Sequence, residues 1–304
     1  MRRIATSRAR WHARCATIRG ARPFAALEAQ FASAVLPAGD GPVVAAISGG
    51  LDSAALAALA HAAFAKAPGM LVFAHVNHGV RARAWQDEAV VLALGSARGV
   101  RVVTRALAPE GAASEERLRD GRYDALADIA RTVGARRILT GHHARDQAET
   151  VLLALLRGTG PAGLAGMPPS RELVPGIVLE RPLLGVEPDL LAAYAASEHV
   201  PYAIDASNAD LGYRRNALRA ALVPLRETFP HLDAAVARCA KIVAEERAGN
   251  TRARLRAGVH AALAASGASA RDVTFERLDA AARALERGVP GRHFLRRGVE
   301  MIVE

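Results

Sequence analysis

The sequence predicts an α/β chain in which a doubly wound, mostly parallel sheet is followed by a small all-helical domain. Three observations carry that prediction. From Val43 onward, short apolar runs alternate with Ala- and Leu-rich helical stretches, the pattern of β-α-β units with helices on both faces of a parallel sheet. Polar turns bearing glycine or histidine follow the apolar runs, at Ser48–Ser53, His75–Arg81 and Gly141–Thr150, where open α/β sheets bind ligands. Beyond about Pro230 the chain is Ala- and Arg-rich, low in aromatic residues and helical in pattern.

Residues 1–22 hold seven arginines, and no acidic residue precedes Glu28. The stretch lacks the apolar h-region of a secretory signal. It is similar in part to an organellar transit peptide, reads also as a basic arm that touches RNA, and would arise too by translation from an upstream start codon. A floppy arm without essential function is the favoured reading. A short amphipathic helix from Phe24 to about Val35 leads into the loop Pro37–Pro42. Val43–Ile47 is the first strand, and a helix runs from Ala54 to about Lys66. Between them stands Ser48-Gly49-Gly50-Leu51-Asp52-Ser53. Adjacent glycines let the backbone turn sharply and approach a ligand with no Cβ in the way. Ser48 and Ser53 add hydroxyls, and the free N–H groups of the helix's first turn point into the same space, so the expected ligand is a phosphate or pyrophosphate. A plain Gly-Gly turn capped by Asp52 or Ser53 is the simpler alternative. A Walker loop is excluded, because it requires Gly-Lys-Ser/Thr and the only lysines are Lys66 and Lys241.

Met70–Val76 reads as a second buried strand. It ends in the turn His75–Arg81, with His75 packed and His78 in the loop. A helix Trp85–Arg98 and a strand Val100–Leu107 complete a further β-α-β unit. The next helix, about Ser114–Val133, sets Glu115, Arg119 and Arg122 on one face. That face is either solvated or a guanidinium clamp for phosphates or a base edge. Strand Arg137–Thr140 then runs into a second polar cluster with His142, His143, Asp146 and Glu149, which a core explanation handles poorly. Adjacent His142 and His143 diverge in extended backbone, which argues against joint zinc ligation. A helix reaching Arg157, a strand closed by Arg181–Leu184 and a helix Pro188–His199 follow. The junction Asp205–Arg219, with Asn208, Arg215 and Asn216, is either turn and cap chemistry or a surface that holds substrate.

At 304 residues, with 51% hydrophobic residues and a mean hydropathy of +0.10, the composition fits a globular protein of about two domains. No apolar run approaches the ~20 residues of a membrane span, so no membrane role is expected. Cys15 and Cys239 form no CxxC pair, which argues against a disulfide framework and against a cysteine zinc or iron–sulfur site. The default compartment is the cytoplasm. The net charge of +10 is nearly all arginine, whose planar fork pairs two-pronged with phosphate; it suggests a polyanionic partner such as nucleic acid. A GC-rich coding bias would account for the Arg/Lys ratio but not for the net charge.

The bend Ser48–Ser53 resembles the SGGxDS signature of the PP-loop ATP pyrophosphatases, whose Rossmann-like sheet cleaves ATP between its α- and β-phosphates. Six further motifs follow: His-x-x-His-Gly-x-Arg at His75–Arg81, Arg-x-x-Arg-Tyr at Arg119–Tyr123, and His-His-x-x-Asp-Gln-x-Glu-Thr at His142–Thr150. The others are Gly158–Leu164, Arg181–Leu184, and Asp205–Asn208 with Tyr213–Asn216. In this order, across about residues 40–230, they are similar to the tRNA(Ile)-lysidine synthase family. The resemblance implies ATP-dependent ligation of free L-lysine to C2 of the wobble cytidine in a CAU-anticodon isoleucine tRNA. An adenylated cytidine is the intermediate, and AMP and pyrophosphate are released. It implies that Ser48, Gly49, Gly50, Leu51, Asp52 and Ser53 hold ATP, with Asp52 assisting Mg²⁺. Arg119 and Arg122 would stabilise the adenylate or grip the cytidine, and Asp146 and Glu149 would receive the lysine ammonium or hold metal. A carboxylate or His78 would serve as base. Arg81, His142, His143, Asn208, Arg215 and Asn216 would meet tRNA or lysine.

Three departures stand out. Arg145-Asp146 replaces the two consecutive acids of many relatives, the turn after His78 reaches the next helix early, and the chain ends near where many relatives continue into a further carboxyl-terminal domain. The expected organisation is a basic arm and short helix over 1–36, an ATP-binding catalytic domain over 37–229 and a helical tRNA-facing domain over 230–304. A homodimer is left open. The alternatives are a PP-loop tRNA sulfur-transfer enzyme, against which the two lone cysteines argue, a metabolite ligase of the amidotransferase type, and a catalytically impaired tRNA-binding module.

Overall fold

The computed structural model describes residues 23–36, 39, 41–77, 84–107, 115–203, 214–249, 251–265, 273–296 and 299–303. In chain order it contains α1 (Ala25–Val35), β1 (Val43–Ala46), α2 (Leu51–Ala63), β2 (Leu71–Asn77), α3 (Ala84–Arg98), β3 (Arg101–Ala106), α4 (Glu115–Val133) and β4 (Arg137–Leu139). There follow α5 (Ala144–Leu156), α6 (Pro161–Leu164), β5 (Ser170–Val174), β6 (Ile177–Glu180), α7 (Pro188–Ser197), α8 (Arg214–Ala221) and α9 (Val223–Thr228). The last elements are α10 (Leu232–Arg247), α11 (Thr251–Ala265), α12 (Phe275–Arg287), β7 (Gly291–Arg296) and β8 (Val299–Val303). The chain divides into two compact units, residues 1–144 with 169–209 and residues 145–168 with 210–304. Residues 145–168 and 210–229, which the sequence grouped with the sheet, thus go with the carboxyl-terminal helices.

The first unit is built on a six-stranded sheet of order β3-β2-β1-β4-β6-β5. Its ladders are parallel except for β5, which pairs antiparallel with β6. Alternation with period two sends Val43, Ala45 and Ile47 to one face, with Phe31, Leu56, Leu59, Phe73 and Leu191 from α1, α2, β2 and α7. Val44, Val72, Ala74, Ile138 and Leu179 go to the other face, under Leu126 and Ile129 of α4. Residues Ala54–Ala60 of α2 are all buried, and the five alanines among them let α1 and α7 pack closely on that helix. Because the chain steps from β1 outward to β3 and then returns to β4 on the other side of β1, the order reverses between β1 and β4. A crevice outside the carboxyl ends of these two strands is the place such sheets bind ligands.

In the second unit, Val259, Leu263, Ala281 and Leu295 form a small apolar core. Arg256, 5% exposed, ties three helices together, with Glu245 of α10 at 2.6 Å and Asp279 of α12 at 2.8 Å. The expectation of an all-helical carboxyl-terminal domain needs correction. Helix α12 stops at Gly288, in the left-handed conformation at φ 60°, and β7 and β8 then pair as an antiparallel hairpin. The alternation that makes β8 a strand is Val299, Met301 and Val303 inward against exposed Glu300 and Ile302.

Candidate functional site

The bend after β1 adopts a conformation that requires glycine at position 49. Gly49 sits at φ 96°, and a Cβ there would lie 3.2 Å from the backbone of Asp87 at the start of α3. The Gly49 N–H donates to Ser53 Oγ at 3.1 Å, and the Ser53 hydroxyl donates to the Gly50 carbonyl at 2.8 Å. The Ala203 N–H closes on the Gly49 carbonyl at 2.9 Å. The bend is therefore braced from α3, from α2 and from the segment after α7. The first helical bond of α2 runs from Ala54 N–H to Gly50 O. The N–H groups of Leu51, Asp52 and Ser53 precede it, so they have no intrahelical acceptor and lie at the positive end of the helix dipole. That is the donor set an ATP phosphate requires.

Asp52, 48% exposed at its side chain, projects from the same turn, and its Oδ2 lies 3.4 Å from Nε2 of buried His143. One exposed carboxylate beside a helix start of this kind fits Mg²⁺, which takes one or two carboxylates together with substrate phosphate oxygens. Among the described residues no group of three or more His, Cys, Asp or Glu side chains forms a dedicated metal cage. The turn after β4 is pressed against the bend: a Cβ on Gly141 would lie 3.1 Å from the Asp52 carbonyl oxygen. His142 and His143 part company. His142 Nδ1 lies 2.9 Å from the Thr140 hydroxyl, while His143 turns to Asp52. His75 is packed, with Nδ1 at 2.9 Å from the Ile47 carbonyl that leads into the bend.

On α4, Arg119 and Arg122 do not stand alone. Their guanidinium carbons lie 5.7 and 5.2 Å from the ring centroid of Tyr123, and that of Arg171 on β5 lies at 4.9 Å. Burial would raise the Tyr123 phenol, but the charges of Arg122, Arg119 and Arg181 and a hydrogen bond from Arg119 outweigh it and lower its pKa. Burial lowers the pKa of Arg181, against the pull of the same phenol.

The second unit gathers another group of predicted residues. Glu149 is fully buried and accepts from Arg215 Nε at 2.8 Å and from Arg219 Nε and Nη2 at 2.8 and 3.0 Å. Burial alone would raise its carboxyl; the hydrogen bonds and charges of Arg219 and Arg215 win and hold it below the usual glutamate value. Fully buried and with both oxygens engaged by arginines, Glu149 stands behind Arg215. Asp146 accepts from Arg215 Nη2 at 2.9 Å and is the more accessible of the two acids. Arg145 has its own acid: its Nε lies 3.2 Å from Oδ2 of Asp233 on α10, which Arg226 also grips two-pronged.

In the first unit the structure thus brings together Ser48, Gly49, Gly50, Leu51, Asp52, Ser53 and His143, with His142 on the adjoining turn. In the second it joins Asp146, Glu149 and Arg215, and places Asn216 beside Arg215 on α8. His78, Arg81 and Asn208 lie outside the described residues. Sequence reasoning gave no site role to Arg171, Arg181, Arg219, Arg226 and Asp233, although Arg181 and Arg219 stood within stretches it singled out. Arg219 was within reach, standing four residues after Arg215 on one helical face; the others come from elements far apart in the chain.

A family model described as a PP-loop domain matches residues 24–226. The chain is 42% identical over 223 residues to the tRNA(Ile)-lysidine synthase of Ralstonia nicotianae, covering 71% of this chain and 48% of that protein. It is 43% identical over 208 residues to the one of Bordetella pertussis, covering 66% and 64%. With the one of Salinispora tropica it shares 38% over 234 residues, covering 75% and 70%. The chain therefore spans about half to two thirds of the length of most of these relatives. Among solved structures, a U34-tRNA thiolase from Methanococcus maripaludis with its 4Fe-4S cluster superposes with a TM-score of 0.59 at 15% identity, covering 70% of this chain and 76% of that one. That likeness concerns the fold.

Proposed function

Because the chain belongs to the PP-loop family and, within it, to the tRNA(Ile)-lysidine synthases, we propose that it is a cytoplasmic ligase using ATP and Mg²⁺. It joins free L-lysine to C2 of the wobble cytidine in a CAU-anticodon isoleucine tRNA. The observation that carries this reading is the bend after β1. It sits at the switch point of the sheet, offers first-turn N–H groups that have no intrahelical acceptor and has Asp52 and His143 beside them. Asp52 would hold Mg²⁺ there together with the nucleotide, and the ion would supply the positive charge that offsets the phosphates. Leu51, Asp52 and Ser53 N–H orient the phosphates, Asp52 keeps its carboxylate on the cation side, and His143 steadies that carboxylate from the interior. The C2 oxygen attacks the α-phosphorus of ATP and pyrophosphate leaves; the neutral lysine amine then bonds to C2 and gives up a proton, and AMP departs with the oxygen.

Asp146 and Arg215 stand 2.9 Å apart with opposite charge, a pair suited to the ammonium and carboxylate of a free amino acid. Glu149 holds Arg215 in place from the interior and is a positioning residue. Residues 230–304, rich in arginine, face the tRNA in this reading. The test is pyrophosphate release from ATP by the purified chain. It should require the CAU-anticodon tRNA, with lysine incorporated one-for-one. Turnover that needs a sulfur donor would favour sulfur transfer, and tRNA binding without pyrophosphate release would favour a binding module.

A further inference from the structure

The ring of Tyr123 gathers more positive charge than α4 alone supplies. Arg119 and Arg122 come from α4, Arg171 from the antiparallel edge strand β5, and Arg181 from the residue after β6. Their exposure is graded: Arg181 is 3% exposed, Arg122 and Arg171 are half-buried, and Arg119 is open to solvent. The described contacts of Arg119, Arg122 and Arg171 are to this ring rather than to a carboxylate. Like charges gathered this close repel one another, and an anion brought among them would be held by several guanidinium groups at once. Contact with one ring restrains the guanidinium groups, and a restrained guanidinium suits two-pronged recognition of phosphate.

Topology places the cluster. Arg181 directly follows the carboxyl end of β6, and Arg171 is paired with Leu179 near that end. The ring-bearing helix starts at the same edge, having crossed over from β3. The cluster therefore shares the carboxyl edge of the sheet with the bend after β1. In the order β1-β4-β6 two ladder steps separate them, about 10 Å across the sheet.

We propose that Arg119, Arg122, Arg171 and Arg181, assembled on Tyr123, form a seat for backbone phosphates of the RNA substrate. The inference rests on the tRNA reading above and extends it to Arg171 and Arg181. The seat takes RNA rather than the tail of ATP for two reasons. It opens to solvent through Arg119, and the bend after β1 already supplies donors for the nucleotide. Tyr123 is a positioning residue, its hydroxyl and ring holding the arginines in register.

The test is tRNA binding by the full chain, measured by fluorescence anisotropy from about 50 to about 200 mM salt, together with ATP affinity by calorimetry. Arg171→Gln should weaken tRNA binding several-fold at low salt. It should also flatten the salt dependence, so that the fall in affinity across that range is about threefold smaller, the loss of one phosphate contact. ATP affinity should not move. Arg119→Gln, at an exposed position that cannot unfold the sheet, should flatten the slope likewise. Unchanged tRNA binding in both variants, against a wild type that binds, overturns the seat while leaving the ligase reading standing. A changed ATP affinity with an unchanged tRNA slope assigns the cluster to nucleotide phosphates and also overturns it. A wild-type chain that does not bind tRNA overturns both.

Discussion

Replacing Glu149 by glutamine separates a residue that touches substrate from one that holds another residue in place. The side chain is fully buried, and its two oxygens take three hydrogen bonds from Arg215 and Arg219, at 2.8, 2.8 and 3.0 Å. Glutamine keeps the volume but offers a single acceptor oxygen and turns an NH₂ toward guanidinium donors. About two of the three bonds are lost, each worth roughly 1.5–3 kcal/mol when one partner is charged. Arg215 and Arg219 are 30% and 34% exposed at their side chains, so water reclaims part of what they lose. The expected cost is therefore about 2–3 kcal/mol, read as a lower urea midpoint at unchanged slope. With α8 less firmly held, the KM for lysine should rise while ATP affinity stays as it was. A variant that loses less than about 0.5 kcal/mol yet no longer incorporates lysine would refute the reasoning, because the carboxylate would then be acting on substrate directly.

Acid should erase the same difference. Since the Glu149 carboxyl is held below its ordinary value, its contribution is complete above the unfolded glutamate pKa and is lost as pH falls through the lowered one. Wild type and Glu149→Gln should therefore converge in denaturation curves taken at progressively lower pH. Gly49→Ala should cost about 2–4 kcal/mol in chemical denaturation, from a left-handed non-glycine residue and a Cβ 3.2 Å from Asp87. Gly50→Ala, at φ −79° with its nearest neighbour at 3.8 Å, should cost under about 0.5 kcal/mol. Asp52→Ala should abolish tRNA-dependent pyrophosphate release and leave tRNA affinity within about twofold by filter binding, given the weak effect of single exposed charges. Arg145→Asp should lower stability by about 1 kcal/mol, because it sets a carboxylate against Asp233. A gain in stability or in lysine incorporation would show that Arg145 is no strut.

Most of the sheet was legible because buried parallel strands read as continuous apolar runs bounded by turns, as at Val43–Ala46 and Leu71–Asn77. Strand β5 was not. Ser170-Arg171-Glu172 has a polar pattern, and only its antiparallel pairing across the Pro175-Gly176 turn makes it an edge strand. Missing that strand meant missing Arg171, and with it the fact that the Arg119–Tyr123 motif has partners outside its own helix. The bend Ser48–Ser53 could be read directly, since its chemistry is local to six residues. The Asp52–His143 pairing could not, for it depends on which strand lies next to β1. In the second unit the acids Asp146 and Glu149 and the arginine Arg215 were all singled out from the sequence, and the structure pairs them. What the sequence hid was their order of burial, which makes Glu149 the anchor and Asp146 the accessible acid.

Strand order explains why scattered motifs belong to one site. β1 is flanked by β2 and β4, and all three run parallel, so their exits open on one edge: Ser48 after β1, Asn77 at the end of β2 and Thr140–His143 after β4. An antiparallel neighbour would have sent its following turn to the opposite edge and left Asp52 without His143. The bend itself needs no such neighbours to attract an anion, because its N–H groups belong to α2. What the neighbours add is a wall, with Gly141 against the Asp52 carbonyl at a distance where a Cβ would crowd it and His143 buried beneath the carboxylate. A phosphate meeting that wall meets donors already fixed in direction, so little ordering remains to be done when nucleotide binds. Widening the wall, as Gly141→Ala must, should therefore weaken nucleotide binding even though no ligand contact is removed. Calorimetry showing unchanged ATP affinity in that variant would mean that the helix start acts alone.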